Sequence, residues 1–303
     1  MASADAVLLI AFGGPTRPEE IRPFLENVAR GRRIPADRLE EVAHHYELIG
    51  GRSPLNDLTF RQAEALRRAL GSSPVYVGMR NWEPYLATTL AQMALDGVRR
   101  ATGVILAPHA TESSRERYME TVEEGRAALG PRAPAVTYVR SWHVHPLFIE
   151  AVADRVRAAR STLPGEARTG SRLVFTAHSI PVAAAEHSPY AAEIEASARA
   201  VAEHLDEPSW EIAYQSRSGS PRDPWLEPDI NATLERLAGE ETRAVVVEPI
   251  GFVCDHVEVL YDLDIEARAT AARHGLAYAR ARTVNDHPLF IRMLAEVVRE
   301  HAA

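Results

Sequence analysis

Cysteine is almost absent from this 303-residue chain: Cys254 stands alone. No intrachain disulfide can form, and no cysteine set exists for zinc or an iron–sulfur cluster, which fits a reducing compartment such as the cytoplasm. Long apolar runs are lacking too. The N-terminal AVLLIAF is only strand-length before Gly13, Gly14 and Pro15 stop it, and no basic segment precedes it, so neither a signal peptide nor membrane insertion is read. Positive charge is scarce: 34 Lys and Arg against 42 Asp and Glu leave a formal net charge of −8. That argues against nucleic acid as a partner, because neutralising phosphates needs a concentrated basic surface. No GxGxxG or GxxxxGK[ST] follows a strand-like run, so no nucleotide is implied, and HExxH, paired CxxC and GxSxG are missing. One basic cluster, Arg30, Arg32 and Arg33 in ARGRR, breaks the acidic trend; it reads as a solvated helix end or as a site for carboxylates.

What is present is a globular composition, 46% apolar and 25% charged, carrying an internal duplication. AVLLIAFGGP near residues 6–15 has the form of RLVFTAHSIP at 172–181, an apolar strand running into a turn. PVYVGMRNWEPYL at 74–86 pairs with WEIAYQSRSG at 210–219, and RRATGVILAPHATESS at 99–114 with ETRAVVVEPIGFVCDH at 241–256. Each half closes on HPLFI, at His145–Ile149 and His287–Ile291. Helical stretches with apolar residues three and four apart, such as TLAQMALDGV, separate the strands. Strand, helix and strand in alternation predict an α/β fold: two similar Rossmann-like domains, each a four-stranded parallel sheet flanked by helices. The boundary is expected near STLPGEARTGS, giving domains 1–155 and 156–303, with the last helix able to pack on the N-terminal domain.

Ligands of open α/β sheets bind beyond the carboxyl ends of the strands. Two such domains facing each other would form a cleft walled by strand-end residues, among them His178 in FTAHSIP and Glu258 in FVCDHVEVLYDLDIEAR. The latter segment gathers Asp255, His256, Glu258, Asp262, Asp264 and Glu266. Glu258, Asp262 and Glu266 are four apart and on a helix form one ridge. The ridge is either a solvated acidic face or a ladder of oxygen ligands weak enough to pass a hydrated divalent cation inward. A histidine opposite could accept protons near neutral pH.

The blocks LLIAFGGP, ELIGGRSPLN, GMRNWEPY, FTAHSIP, YQSRSG with PWLEPD, and PIGFVCDHVEVLYDLD resemble the ferrochelatases over essentially the whole length. PFLENVARGRR and FTAHSIP look most like the bacterial coproporphyrin III ferrochelatases. The resemblance implies a lyase that inserts Fe2+, as substrate, into a porphyrin for heme synthesis. It implies His178 and Glu258 as catalytic residues, and His178, Glu258, Asp262 and Glu266 as metal-binding ones. Arg30, Ser53 and Tyr118 fall on positions that contact propionates. Phe12 stands where several relatives carry an iron-ligating tyrosine, Asn81 where some have histidine, and His45 where an arginine lies near a propionate. These three are substrate-site positions that depart from the pattern. Some members carry an iron–sulfur cluster held by four cysteines, which one cysteine cannot do. A cytoplasmic monomer that passes its product to a downstream heme-synthesis enzyme is the family expectation. Protoporphyrin IX ferrochelatase, sirohydrochlorin chelatase and a non-catalytic porphyrin or heme carrier stay open as alternatives. A two-domain binding protein for a small anion would explain the duplication but needs an export signal.

Overall fold

The computed structural model describes residues 5–31, 35–218, 223–240 and 242–302; Arg32 and Arg33 of the basic cluster lie outside them. Eight strands form two parallel sheets. The first contains β1 (Ala6–Ala11), β2 (Val75–Met79), β3 (Arg100–Ile105) and β4 (Ala135–Tyr138) in the order β2-β1-β3-β4. The second contains β5 (Arg172–His178), β6 (Trp210–Gln215), β7 (Ala244–Glu248) and β8 (Ala277–Arg280) in the order β6-β5-β7-β8. The two orders are the same, as the duplication requires. β1 and β7 are buried along their whole length, and β5 throughout except at its two end residues. Such continuous apolar runs are what a sheet covered by helices on both faces demands.

The chain divides into two compact units, Met1–Ala107 with Glu112–Ser141 and Asp286–Ala303, and Pro108–Thr111 with Trp142–Asn285. The boundary expected at residue 155 therefore falls at Trp142. The cause lies in the two HPLFI helices. In each, the histidine Nδ1 accepts the amide hydrogen of the residue two further on, His145 from Leu147 and His287 from Leu289, both at 3.3 Å. The same start signal thus begins both helices, but it says nothing about the core each will join. Pro146–Ser161 packs against the helix Tyr190–His204 and against β7, within the second unit. Pro288–Ala302 packs on the helix Leu55–Leu70 and on β3, within the first unit, where Arg299 donates to the Ala69 carbonyl at 2.7 Å and His301 meets Thr137 at 2.9 Å.

In the second sheet the strand order reverses direction between β5 and β7. That gap is the switch point, where loops leave in opposite directions and open a crevice. Gly251 brings the loop after β7 down onto β5. Its amide donates to the Thr176 carbonyl at 3.1 Å, and a Cβ at this position would lie 2.9 Å from both Cα and Cβ of Ala177. Gly251→Ala is expected to push the β5 end carrying His178 out of place and to cost about 1–3 kcal/mol, the usual price of overpacking. Urea denaturation measures the loss.

Candidate active site

His178 ends β5 and Glu258 lies in the short helix Val257–Leu260 that follows β7, so the two flank the switch point of the second sheet. The His178 backbone is anchored by Tyr190, whose hydroxyl donates to its carbonyl at 3.0 Å. Its ring is anchored by the neighbouring residue: Nδ1 donates to the Ser179 carbonyl at 2.5 Å. A carbonyl can only accept, so Nδ1 carries the hydrogen and Nε2 is the exchangeable nitrogen. That Nε2 lies 3.4 Å from Glu258 Oε1. The second carboxylate oxygen, Oε2, lies 3.2 Å from Nε2 of His256, whose Nδ1 in turn donates to the Cys254 carbonyl at 3.1 Å. The Phe252 ring packs edge-on against His256 at 4.6 Å. One carboxylate is therefore held between two imidazoles, each oriented by a backbone carbonyl behind it.

The charges follow from this geometry. Burial disfavours a protonated His178, but the attraction and hydrogen bond of Glu258 outweigh it, and the Ser179 carbonyl adds to them, so the His178 pKa lies above its ordinary 6.5. Burial likewise opposes ionisation of Glu258, yet His178 and His256 beside it hold its carboxyl well below the usual range. In the resting site Glu258 is an anion, and its charge favours the protonated form of His178.

The acidic segment divides into residues that line up toward His178 and residues that brace the loop. After Leu260 the helix widens into a π turn, Asp262–Ala267, in which the Glu266 amide reaches back five residues to the Tyr261 carbonyl at 3.0 Å. Asp262 faces inward, buried, and accepts a short hydrogen bond from the Ser216 hydroxyl. Ser216 holds a left-handed φ of 62°, which a serine adopts at a cost. Burial pushes the Asp262 carboxyl up to about 7, with Glu258 and Glu266 contributing and the Ser216 hydrogen bond opposing. Glu266 is exposed. Asp255 and Asp264, which are not on that ridge, both bind the Arg280 guanidinium, Asp255 at 2.8 Å, and Asp255 also accepts from the Asn285 side chain at 2.9 Å. They fix the loop after β7 to β8. Glu266, Asp262 and Glu258 thus run from exposed through buried to the His178 cluster.

In the first unit the strand-end residues gather differently. Asn81 is buried, and both its amide and its side chain donate to the Phe12 carbonyl, at 2.9 and 3.3 Å. Phe12 is 40% exposed and meets Phe24 edge-on; Phe24 in turn packs on Tyr46 and Trp82. Ser53 is buried beneath Gly14, where a Cβ would approach its side chain to 2.9 Å. Arg30 is exposed at the end of the helix Ile21–Ala29. Tyr118 is buried in the core with Leu86, Leu90 and Val122, its ring 5.9 Å from the Arg80 guanidinium. Its phenol is thereby less open to a propionate than the sequence position suggests. Burial and the nearby Arg38 and His44 charges lower the His45 pKa against the pull of Glu41, which favours the neutral imidazole.

The ferrochelatase family model matches residues 4–302. The chain belongs to the ferrochelatase family. Relatives include the coproporphyrin III ferrochelatase of Nocardia farcinica, 48% identical over 99% of this chain and 88% of that protein. The coproporphyrin III ferrochelatase of Mycolicibacterium smegmatis is 47% identical over 98% and 90%. Among solved structures, SirB from Bacillus subtilis with Fe3+ superposes with a TM-score of 0.63 at 12% identity, covering 98% of this chain and 95% of that one. At that identity the likeness shows a shared fold, the two-sheet α/β architecture of a chelatase. Among the described residues no helix is long and apolar enough to cross a membrane.

Within this ferrochelatase-family chain, the sequence places His256 and Ser216 among the strand-end residues but gives a role only to Glu258, not to His256 or to Ser216, the hydrogen-bond donor to Asp262. A usable signal for His256 exists: it sits two residues before Glu258, directly ahead of the helix start. Asp262 yields a prediction. Its pKa is about 7 folded against 3.8 for an ordinary aspartate, so the folded state holds a proton that the unfolded chain has released, and stability declines as pH rises through that window. Asp262→Asn is expected to raise Tm by a few degrees at pH 8 and to change it little at pH 4, as followed by circular dichroism.

Proposed function

We propose that this ferrochelatase inserts Fe2+ into coproporphyrin III to give coproheme, a step of heme synthesis in the cytoplasm. The observation that carries the substrate is the 48% identity, over 99% of the chain, to a protein named for that activity. Metallation replaces two pyrrole N–H protons with one Fe2+, so two protons must leave per turnover. His178 is assigned their removal through Nε2, since Nδ1–H is committed to the Ser179 carbonyl at 2.5 Å. Glu258 is assigned to draw in the cation and, through its two oxygens, to take protons onward from His178. Asp262 and Glu266 are assigned the approach route, where ionisation of Asp262 near pH 7 sets how well a divalent cation is held.

Arg30, Ser53, His45 and Tyr118 are assigned to the propionates, with Arg30 as the charged contact. Phe12 and Asn81 are assigned to the macrocycle face. With phenylalanine at position 12 no phenolate reaches the iron, and His178 becomes the candidate protein ligand of the product. Binding energy from the periphery would hold the porphyrin bent so that its nitrogen lone pairs tip toward the metal. The enzyme is read as a monomer that hands coproheme to the next enzyme.

The test is anaerobic incubation of the protein with Fe2+ and coproporphyrin III, with protoporphyrin IX in parallel. The expected result is the four-band free-base spectrum collapsing to that of the iron porphyrin, faster with coproporphyrin. Porphyrin binding without metallation would leave a carrier, and faster turnover of protoporphyrin IX would overturn the substrate assignment.

A further inference from the structure

We infer that the second unit carries an anion site separate from the His178 cluster, a pocket at the opposite end of its sheet that takes a phosphate-bearing small molecule. Its lining comes from chain entering the strands. Arg172 is the first residue of β5, Ser209 immediately precedes β6, and Thr242 lies just ahead of β7. Arg160, Arg168 and Glu207 also line it, with the turn 169–171 that leads into β5. Since all strands of the sheet are parallel, this is the end away from His178. Six residue steps along β5 separate Arg172 from His178, roughly 20 Å. The pocket holds about 460 Å³, within the range of sites that enclose small organic ligands.

Its charge runs against the rest of the molecule. The chain carries a formal −8, yet among the described residues three guanidiniums line this pocket against one carboxylate. Glu207 is already spent, paired with Arg160 at 2.5 Å. Arg168 is fixed by donating to the Ser161 and Leu163 carbonyls, at 2.9 and 3.3 Å, contacts that hold it in place without neutralising it. The Arg172 side chain has no hydrogen-bond or ion-pair partner among the described residues, although its backbone lies in the ladder opposite Val245, and the hydroxyls of Ser209 and Thr242 have no hydrogen bond there either. Two uncompensated guanidiniums and two idle hydroxyls supply more donors than the two oxygens of a carboxylate can use. A phosphate, with three or four acceptor oxygens and up to two charges, matches them. Free phosphate and the phosphate of an organic ester share this chemistry.

Calorimetric titration of the full-length protein with pyrophosphate, orthophosphate and glycerol phosphate, against sodium chloride at equal ionic strength, tests the site. Saturable one-site binding is expected. Tighter binding of glycerol phosphate than orthophosphate would mark an ester as the ligand, and the reverse the free ion. Arg172→Glu and Arg172→Ala should weaken pyrophosphate binding by about tenfold or more. Their Tm without ligand should stay close to the wild-type value, because the substitutions keep the β5 backbone and the Arg172 side chain makes no hydrogen bond or ion pair among the described residues. His178→Ala should bind pyrophosphate as wild type does. The inference is overturned if pyrophosphate acts no differently from chloride, if both Arg172 variants bind it undiminished, or if His178→Ala abolishes the binding.

Discussion

His178→Ala is expected to lower kcat for iron insertion by about 10²–10⁴-fold, the range that a positioned general base contributes, while porphyrin still binds. The argument rests on which nitrogen is free. Nδ1–H is held by the Ser179 carbonyl and the backbone by the Tyr190 hydroxyl, so the ring presents Nε2 in one fixed direction, 3.4 Å from Glu258. Alanine removes the proton acceptor and leaves Glu258 with a single imidazole, His256, beside it. Porphyrin affinity, read from quenching of tryptophan fluorescence, should stay within about threefold of wild type, because flat apolar contact and propionate pairing dominate it. A variant keeping a tenth or more of the wild-type rate would remove His178 from the chemistry.

Much of this arrangement is legible in the sequence, and the part that is not has identifiable causes. FTAHSIP places a histidine directly after an apolar strand, and the second-half strand series repeats the first, so the two four-stranded parallel sheets and the ends of β5 and β7 follow from pattern, while the strand order comes from the fold. Glu258 is legible for the same reason. The fate of its acidic neighbours is not, because Asp255 and Asp264 are claimed by Arg280, a residue of β8 that only the tertiary fold brings near. The π turn at Asp262–Ala267 is also hidden: nothing in YDLDIEA distinguishes a ring closed over five residues from one closed over four. Ser216 is missed because serine does not advertise a positive φ as glycine does. The HPLFI helices show the limit of local signals, since identical starts lead into different cores.

The six acidic and imidazole side chains of the segment after β7 therefore divide into a scaffold and a working set. Arg280, buried and doubly paired, immobilises the loop from Asp255 to Asp264, and its pKa is raised further by those carboxylates although burial alone would lower it. A rigid loop is what lets Glu258 sit between two imidazoles without collapsing onto either. Gln215 contributes from β6 by donating its side-chain amide to the Glu258 carbonyl at 2.5 Å. Preorganisation of this kind supports a base whose protonation must reverse in every turnover.

Glu258→Gln is expected to cut the rate about 10²-fold or more and, separately, to move its pH dependence. Glu258 raises the His178 pKa above 6.5 by charge and hydrogen bond, so His178 must lose its resting proton before it can take one from the porphyrin. Wild-type kcat/KM should therefore climb as pH rises through the His178 pKa and level off above it. The amide keeps the shape of the carboxylate but carries no charge, leaving burial as the main influence on His178, which lowers its pKa. The acid limb of the residual activity should shift to lower pH. Stability moves in a linked way. The His178–Glu258 pair stabilises the fold most between the two pKa values, is lost as pH falls through that of Glu258, and is lost again as pH rises through that of His178. Wild type should thus lose its Tm advantage over Glu258→Gln above the His178 pKa. NMR titration of the His178 ring in both proteins, beside the rate profiles, decides the point. An acid limb that stays in place in Glu258→Gln would mean that His178 is not the group whose proton governs the rate.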